Sequence, residues 1–311
     1  MGGIYASSMR RLEKLIAQRV VRLIWGATRL NPFTPALPEL PVSVTGLDFP
    51  NPVGLGAGFD KDAALVGHLA PGGFGFVEIG TVRPLPEPGK SLGLQVVRAN
   101  LERSLARRER TPRQVLGISL GSNRVPWSEG AFEDYTALMT GLWRFADYLV
   151  INLSSPWDRD RVTRAEPALV RELLERVADK ARELREGSDR PVPVVVKLAV
   201  TATHRDVPMV VRCTKEAGLQ GIIAETDAAE SQSEVCRRLQ ELADYLGALP
   251  LISVGGIASA DDAWRRMENG AALVQVFRGV LRGGPFLARR IVAGLRERRA
   301  SAIRVPGSGK G

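Results

Sequence analysis

The chain has 311 residues, of which 44% are hydrophobic and 25% charged, and its net charge is +9. This composition excludes a disordered chain, and the length suits one large α/β barrel or two smaller domains. Two cysteines, Cys213 and Cys236, are too few for a disulfide framework or a metal site and fit a reducing cytoplasm. Because the basic residues are spread over many predicted helices, we expect them to cover solvated helix faces and not to bind nucleic acid.

The N-terminal segment, residues 9–30, has apolar residues at helical spacing and basic residues over the rest of its surface. It predicts a basic amphipathic helix, too often interrupted by charge to cross a bilayer and unlike a signal peptide. Two interpretations remain open: the helix caps the barrel, or it lies on an anionic membrane surface at the inner face of the membrane. The predicted organisation is an N-terminal extension (1–40), a barrel (41–304) and a flexible Gly/Ser tail (305–311).

Strand-like runs then alternate regularly with amphipathic helical stretches such as 167–185 and 260–269. The predicted strands are 53–57, 76–80, 115–120, 148–153, 192–198, 221–224, 251–254 and 273–276. Eight strands in βα alternation are typical of a (β/α)₈ TIM barrel. A doubly wound sheet is the alternative, but no Gly-x-Gly-x-x-Gly follows the first strand.

The strand at 148–153 is an apolar, β-branched run that ends in Asn152, Ser154 and Ser155, just before Pro156. Catalytic groups of α/β barrels lie at the carboxyl ends of the strands. The end of this strand is therefore the first place where we expect a site.

Five stretches of the chain carry a family resemblance. They are 46–61 (with Ala-Gly-Phe-Asp-Lys), 73–84 (with Glu-Ile-Gly-Thr-Val), 146–156 (with Asn-x-Ser-Ser-Pro), 194–198, and 251–257 together with 271–275. In this order and combination they resemble the dihydroorotate dehydrogenase family, class 2, whose members reduce quinones. The resemblance covers nearly the whole chain and implies a TIM barrel that binds FMN and oxidises a C–C bond next to a carbonyl.

Two features of the predicted cofactor site also have a direct physical interpretation. The Gly-x-Gly at Gly56 and Gly58 lets the backbone approach a flat ring, and Gly255-Gly256 lies between a strand and a helix, where backbone N–H groups can cradle a phosphate. A lysine in a buried strand, Lys197, needs an anion, supplied by a ligand or by an ion pair within the barrel. The resemblance assigns FMN to Ala57, Gly58, Thr81, Lys197, Gly255, Gly256, Arg278 and Gly279.

For the substrate side, the resemblance implies that Ser155 removes a proton while a hydride passes to the flavin. It places the substrate near Lys61, Asn152 and Thr226, and near two positions where the family has asparagine, here Trp157 and Glu225. A quinone is the implied electron acceptor.

Several family features are missing from this chain. An Asn-Arg-x-Gly-Phe-Asn segment is replaced, with Asn100 as a substitute candidate, and a Gly-Gly-Leu-Ser-Gly segment that walls the phosphate site is absent. Each lost amide costs roughly 1–3 kcal/mol of binding, and Glu225 repels an anionic substrate unless Lys61 or Lys197 pairs with it. We therefore expect dihydroorotate to be a poor substrate. The alternative is a degenerate barrel with a different substrate, or a non-catalytic partner or regulatory subunit.

Overall fold

A computed structural model describes residues 19–20, 23–24, 36–89, 91–108, 114–124, 129–154, 166–188, 190–202 and 206–304. Ser155, Trp157, the predicted tail and most of the N-terminal helix lie outside these residues. Among the described residues, no helix is both long enough and apolar enough to cross a bilayer.

Eight parallel strands close into a barrel, which confirms the predicted (β/α)₈ fold. They are β3 (Val53–Leu55), β4 (Phe76–Val82), β5 (Val115–Leu120), β6 (Tyr148–Asn152), β7 (Val194–Ala199), β8 (Ile222–Glu225), β9 (Leu251–Val254) and β10 (Ala271–Val276). Pairing of β10 with β3, in the register Val274 to Val53, closes the sheet and excludes the doubly wound alternative. An antiparallel hairpin of β1 (Val42–Val44) and β2 (Leu47–Phe49), which was not predicted, precedes the barrel.

Helices surround the barrel and pack their apolar faces on its outer surface. They are α1 (Leu94–Arg108), α2 (Glu129–Leu142), α3 (Pro167–Glu186), α4 (Met209–Glu216), α5 (Gln232–Leu246), α6 (Ala260–Glu268), α7 (Arg278–Gly283) and α8 (Leu287–Arg304). Short 3₁₀ segments occupy Val66–His68, Ala70–Gly72 and Trp143–Phe145. The helices predicted at 167–185 and 260–269 correspond to α3 and α6.

A second apolar cluster joins side chains of the barrel strands to the hairpin. The Phe76 ring packs edge-on against Phe49, with centroids 5.3 Å apart, and against Tyr148, at 6.5 Å. Such edge-to-face pairs are favourable beyond the area they bury. The strands make room for these rings with glycine, since a Cβ at Gly54 would lie 2.3 Å from the Phe76 ring. Aromatic packing therefore fills the space between the hairpin and the barrel strands.

Candidate active site

A cavity of about 540 Å³ lies where the barrel strands end in their connecting loops. Its volume falls within the range of roughly 300–1,000 Å³ that is common for small-molecule sites. Twelve of the predicted site residues that the structure describes line this cavity. They are Ala57, Gly58, Lys61, Thr81, Asn152, Lys197, Glu225, Thr226, Gly255, Gly256, Arg278 and Gly279.

A partly buried ion pair lies at the carboxyl ends of β7 and β8. The Nζ atom of Lys197 is 3.2 Å from Oε2 of Glu225, and the two side chains are 7% and 34% exposed. The hydroxyl of Ser154 lies 2.6 Å from the same carboxylate oxygen. Of the alternatives that the sequence left open for Glu225, pairing with Lys197 is the one observed, while Lys61 donates to the carbonyl of Gly89 at 3.0 Å.

The amide of Asn152 connects this ion pair to the strands on its other side. Its Oδ1 accepts from the backbone N–H of Ser154 at 3.0 Å, which fixes the orientation of the amide. Its Nδ2 donates to the hydroxyl of Thr81 at 2.6 Å, and that hydroxyl lies 3.2 Å from the Ser119 hydroxyl. We call Lys197, Glu225, Ser154, Asn152, Thr81 and Ser119 the polar network. It spans β4 to β8 and holds the end of β6 in place immediately before residue 155.

A buried carboxyl lies close to this network in the barrel interior. Glu78 Oε2 accepts from Gln275 Nε2 at 2.6 Å and from the Tyr148 hydroxyl at 3.4 Å. Burial raises the pKa of Glu78 above its ordinary value, and the positive charge of Lys197 partly opposes this shift. Burial and the negative charge of Glu78 raise the pKa of Tyr148 well above its ordinary value. Gln275 also lines the cavity, so it links this interior cluster to the site.

The Gly255-Gly256 turn after β9 has no room for side chains. Both glycines have positive φ, at +108° and +68°, and a Cβ at Gly255 would lie 2.0 Å from the carbonyl oxygen of Thr226. The turn lies between β9 and helix α6, as predicted, and three residues separate Gly256 from the helix. Helix α6 begins at Ala260, and the hydroxyl of Ser259 accepts from Asp262 N in its first turn. The turn and the two residues that follow it, Ile257 and Ala258, line the cavity, whereas no residue of α6 is among the lining residues.

Some lining residues were not predicted. They are Asp227, Ala228, Val254, Ile257, Ala258, Gln275, Phe277 and Arg282. Ser154, which also lines the cavity, lies at the strand end where a site was expected. Arg282 follows Arg278 by four residues on α7, and this i, i+4 spacing was a signal that could have found it. Asn100, the substitute candidate, lies on α1 and donates to the carbonyl of Asp62 at 2.7 Å. It is not among the residues that line the cavity.

A closed parallel (β/α)₈ barrel with a polar cavity at its carboxyl edge defines the class of protein, an enzyme-type TIM barrel. Comparison with known proteins identifies the family. A sequence model of the dihydroorotate dehydrogenase family matches residues 39–93, 90–239 and 232–298. The chain therefore belongs to the dihydroorotate dehydrogenase family.

Individual relatives agree with this assignment. The chain is 32% identical to a quinone-type dihydroorotate dehydrogenase of Stenotrophomonas maltophilia, over 85% of this chain and 86% of the relative. It is 33% identical to that of Roseiflexus sp., over 96% and 95%. A crystal structure of the Eimeria tenella enzyme in complex with ferulenol superposes with a TM-score of 0.77 at 27% identity, covering 92% of each chain. The predicted family and the predicted oxidoreductase class are confirmed, and family membership implies a flavin cofactor and a small-molecule substrate.

Proposed function

We propose that this protein is an FMN-dependent oxidoreductase that oxidises a C–C bond next to a carbonyl in a small, uncharged substrate and passes the electrons to a quinone. The observation that carries the proposal is the convergence of the predicted flavin and substrate residues on one cavity, in a chain of this family. When bound, FMN accepts the hydride that leaves the substrate.

The residues present fit this cofactor. Close backbone packing at Gly255 and at Gly279, where a Cβ would lie 2.6 Å from the carbonyl oxygen of Ile257, leaves bare backbone along one side of the cavity. Bare backbone of this kind suits a phosphate or a flat ring. Arg278 and Arg282 line the same cavity and add positive charge for the phosphate. We assign Ala57, Gly58, Thr81 and Lys197 to the ring system.

The polar network supports a role in orienting the catalytic residues. Asn152 and Ser154 hold the end of β6, and the next residue in the chain is Ser155, which we propose as the base that takes the substrate proton. The hydroxyl of Thr226 donates its proton to the carbonyl of Val254 at 3.3 Å, a hydrogen bond within the protein. We propose that Lys61 and Glu225 contact the substrate, together with Trp157.

The charge balance supports an uncharged substrate. Dihydroorotate carries a carboxylate, and the cation of the polar network, Lys197, already pairs with Glu225. An anionic ligand would have to compete with that internal carboxylate for the lysine. We therefore propose that a ring compound without a carboxylate fits better than dihydroorotate.

The N-terminal segment is proposed to bring the protein to the membrane, where long-chain quinones are found. Val20 and Leu23 are 42% and 73% exposed, while Ile24 packs against the main apolar core. This pattern supports a segment that touches the barrel on one side and offers apolar side chains on another. We propose peripheral attachment through residues 9–30.

The experiment starts with the absorption spectrum of the purified protein, followed by anaerobic mixing with dihydroorotate or with dihydrouracil, which lacks the carboxylate. We expect a flavin spectrum, faster bleaching by dihydrouracil, and bleaching by dihydroorotate well below the usual enzymatic range of roughly 1–10³ s⁻¹. The Ser155→Ala variant should keep its flavin and lose at least about 10²-fold in bleaching rate. A colourless protein that cannot be reconstituted with FMN contradicts the cofactor assignment, and fast bleaching by dihydroorotate contradicts the substrate assignment.

A further inference from the structure

Helix α6 carries a fully buried arginine that has no carboxylate partner among the described residues. Arg266 is 0% exposed. Its Nη1 donates to the hydroxyl of Thr226 at 3.3 Å, and its Nη2 donates to Gln232 Oε1 at 3.1 Å and to the carbonyl of Gly255 at 3.2 Å. All three acceptors are neutral, and the buried Nε atom has no hydrogen-bond partner in the described part of the chain.

Such a charge is costly in the protein interior. A buried cation is destabilising by several kcal/mol unless an anion compensates it, and neutral hydrogen bonds replace only part of its hydration. Accordingly, burial lowers the pKa of Arg266. The nearby carboxylates are bonded elsewhere, because Asp262 accepts from the Ser259 hydroxyl at 2.8 Å and Glu230 accepts from the backbone of Ala202 at 2.8 Å.

The guanidinium lies directly behind the cavity wall. A Cβ placed on Gly256, which lines the cavity, would be 3.3 Å from Arg266 Nη2. This position is natural for a helical side chain, which tilts toward the N-terminus of its own helix and here toward the turn before α6. Arg278 and Arg282 line the same cavity. Three arginines therefore lie at or immediately behind its wall.

The loop between β8 and α5 leads to a residue that contacts both the turn and Arg266. The connection from β8 to α5 is short, and the first residue of α5, Gln232, donates to the carbonyl of Gly256 at 3.3 Å and accepts from Arg266. Arg266 and Gln232 support the turn from behind.

We infer that Arg266 supplies the buried positive charge that makes this end of the cavity select a ligand with a phosphate dianion. The inference rests on the proposed function, because the phosphate is that of FMN. Arg266 acts through the turn that it supports, so it is a positioning residue whose charge reaches the ligand without direct contact. Its expected signature is a preference for FMN over riboflavin, which has the same ring and lacks the phosphate.

The test measures the affinities of the apoprotein for FMN and for riboflavin by the quenching of flavin fluorescence. The variants are Arg266→Gln, Arg266→Lys and, as a matched control, Arg238→Gln. Arg238 is the other large buried arginine, 1% exposed, but it pairs with Glu241 at 3.1 Å. We expect Arg266→Gln to reduce the FMN-to-riboflavin affinity ratio by on the order of 10- to 100-fold. Arg266→Lys should keep the ratio within about threefold, and Arg238→Gln should lower the melting temperature with no change in the ratio.

Each outcome decides the question. If Arg266→Gln weakens both flavins equally, Arg266 is purely structural and the inference fails. If Arg266→Gln does not fold, Arg266→Lys still tests the inference, because lysine keeps the charge but not the three bonds. A folded lysine variant without FMN preference overturns it. A wild-type protein that binds both flavins equally overturns the inference alone, whereas one that binds neither overturns the proposed function as well.

Discussion

The ion pair between Lys197 and Glu225 leads to a quantitative prediction for ligand binding. The substitution Glu225→Gln keeps the size of the side chain and an acceptor for Ser154, but removes the negative charge 3.2 Å from Lys197 Nζ. Lys197 is only 7% exposed, so water cannot replace the lost partner well. An anionic ligand can then take the place of the carboxylate.

The size of the effect follows from the geometry. At 3.2 Å and an effective dielectric constant of about 20, the Coulomb energy of the pair is roughly 5 kcal/mol, an upper limit because Glu225 is 34% exposed. A charge-assisted hydrogen bond contributes a net stabilisation of about 1.5–3 kcal/mol. We therefore expect Glu225→Gln to bind orotate about 10- to 150-fold more tightly than the wild type.

Orotate binding can be followed as a perturbation of the absorption spectrum of the bound flavin. Asp227→Asn is the matched control, because Asp227 also lines the cavity and carries the same charge but is exposed to solvent. It should change orotate affinity by less than about threefold, since water screens exposed charges. Equal orotate affinity in the wild type and Glu225→Gln, or an equal gain in both variants, would refute the reasoning from the ion pair.

Three further predictions concern the interior, the phosphate end and the N-terminus. Because the pKa of Glu78 is raised, the folded state holds this proton more tightly than the unfolded chain does, and the free energy of unfolding should fall as pH rises from the ordinary glutamate pKa through the raised one. The Glu78→Gln variant should lack this decline in urea titrations over a pH series. An unchanged pH dependence in the variant would show that Glu78 is not its source. Arg278→Ala should weaken FMN retention on dialysis by about tenfold, because Arg278 lines the cavity. The control Arg298→Ala, which removes an exposed partner of Asp261, should leave FMN retention unchanged. Equal FMN retention in the two variants argues against the phosphate assignment. Deleting residues 9–30 should leave flavin bound but abolish sedimentation with anionic vesicles and reduction of long-chain quinones. Each basic residue near the membrane surface adds about 1 kcal/mol of attraction, and the deletion removes several of them. Vesicle binding by the truncated chain would place the membrane contact elsewhere.

The barrel strands could be predicted because most of their residues are apolar, many are β-branched and nearly all are buried. The hairpin could not be predicted from the sequence. Its strands Val42–Val44 and Leu47–Phe49 have three residues each, too few for alternation to be recognised. Its turn, with positive φ at Thr45 and Gly46, has Thr-Gly where Asn-Gly or Asp-Gly would have been a clear signal.

The location of the site could be predicted from family motifs, but the partners within it depend on strand register. Lys197 lies opposite Ile223, so Glu225, two residues further along β8, points to the same face. The sequence contains both charges but not this register, and it therefore left Lys61 as an equal alternative. Arg266 gave no signal at all, because an arginine on an amphipathic helix is usually solvated, and its burial depends on how α6 packs.

Closure of the barrel by β3 and β10 has a consequence for biosynthesis. Leu55 and Val276 are register partners, although roughly 220 residues separate them along the chain. At a synthesis rate of about 5–20 residues per second, β3 waits roughly 10–45 s for the strand that covers its edge. The cavity lining runs from Ala57 to Arg282, so flavin capture also has to await synthesis of the chain through residue 282. Until β10 is made, β3 has an unpaired, apolar edge in the growing polypeptide. During this interval a ribosome-associated chaperone would protect that edge.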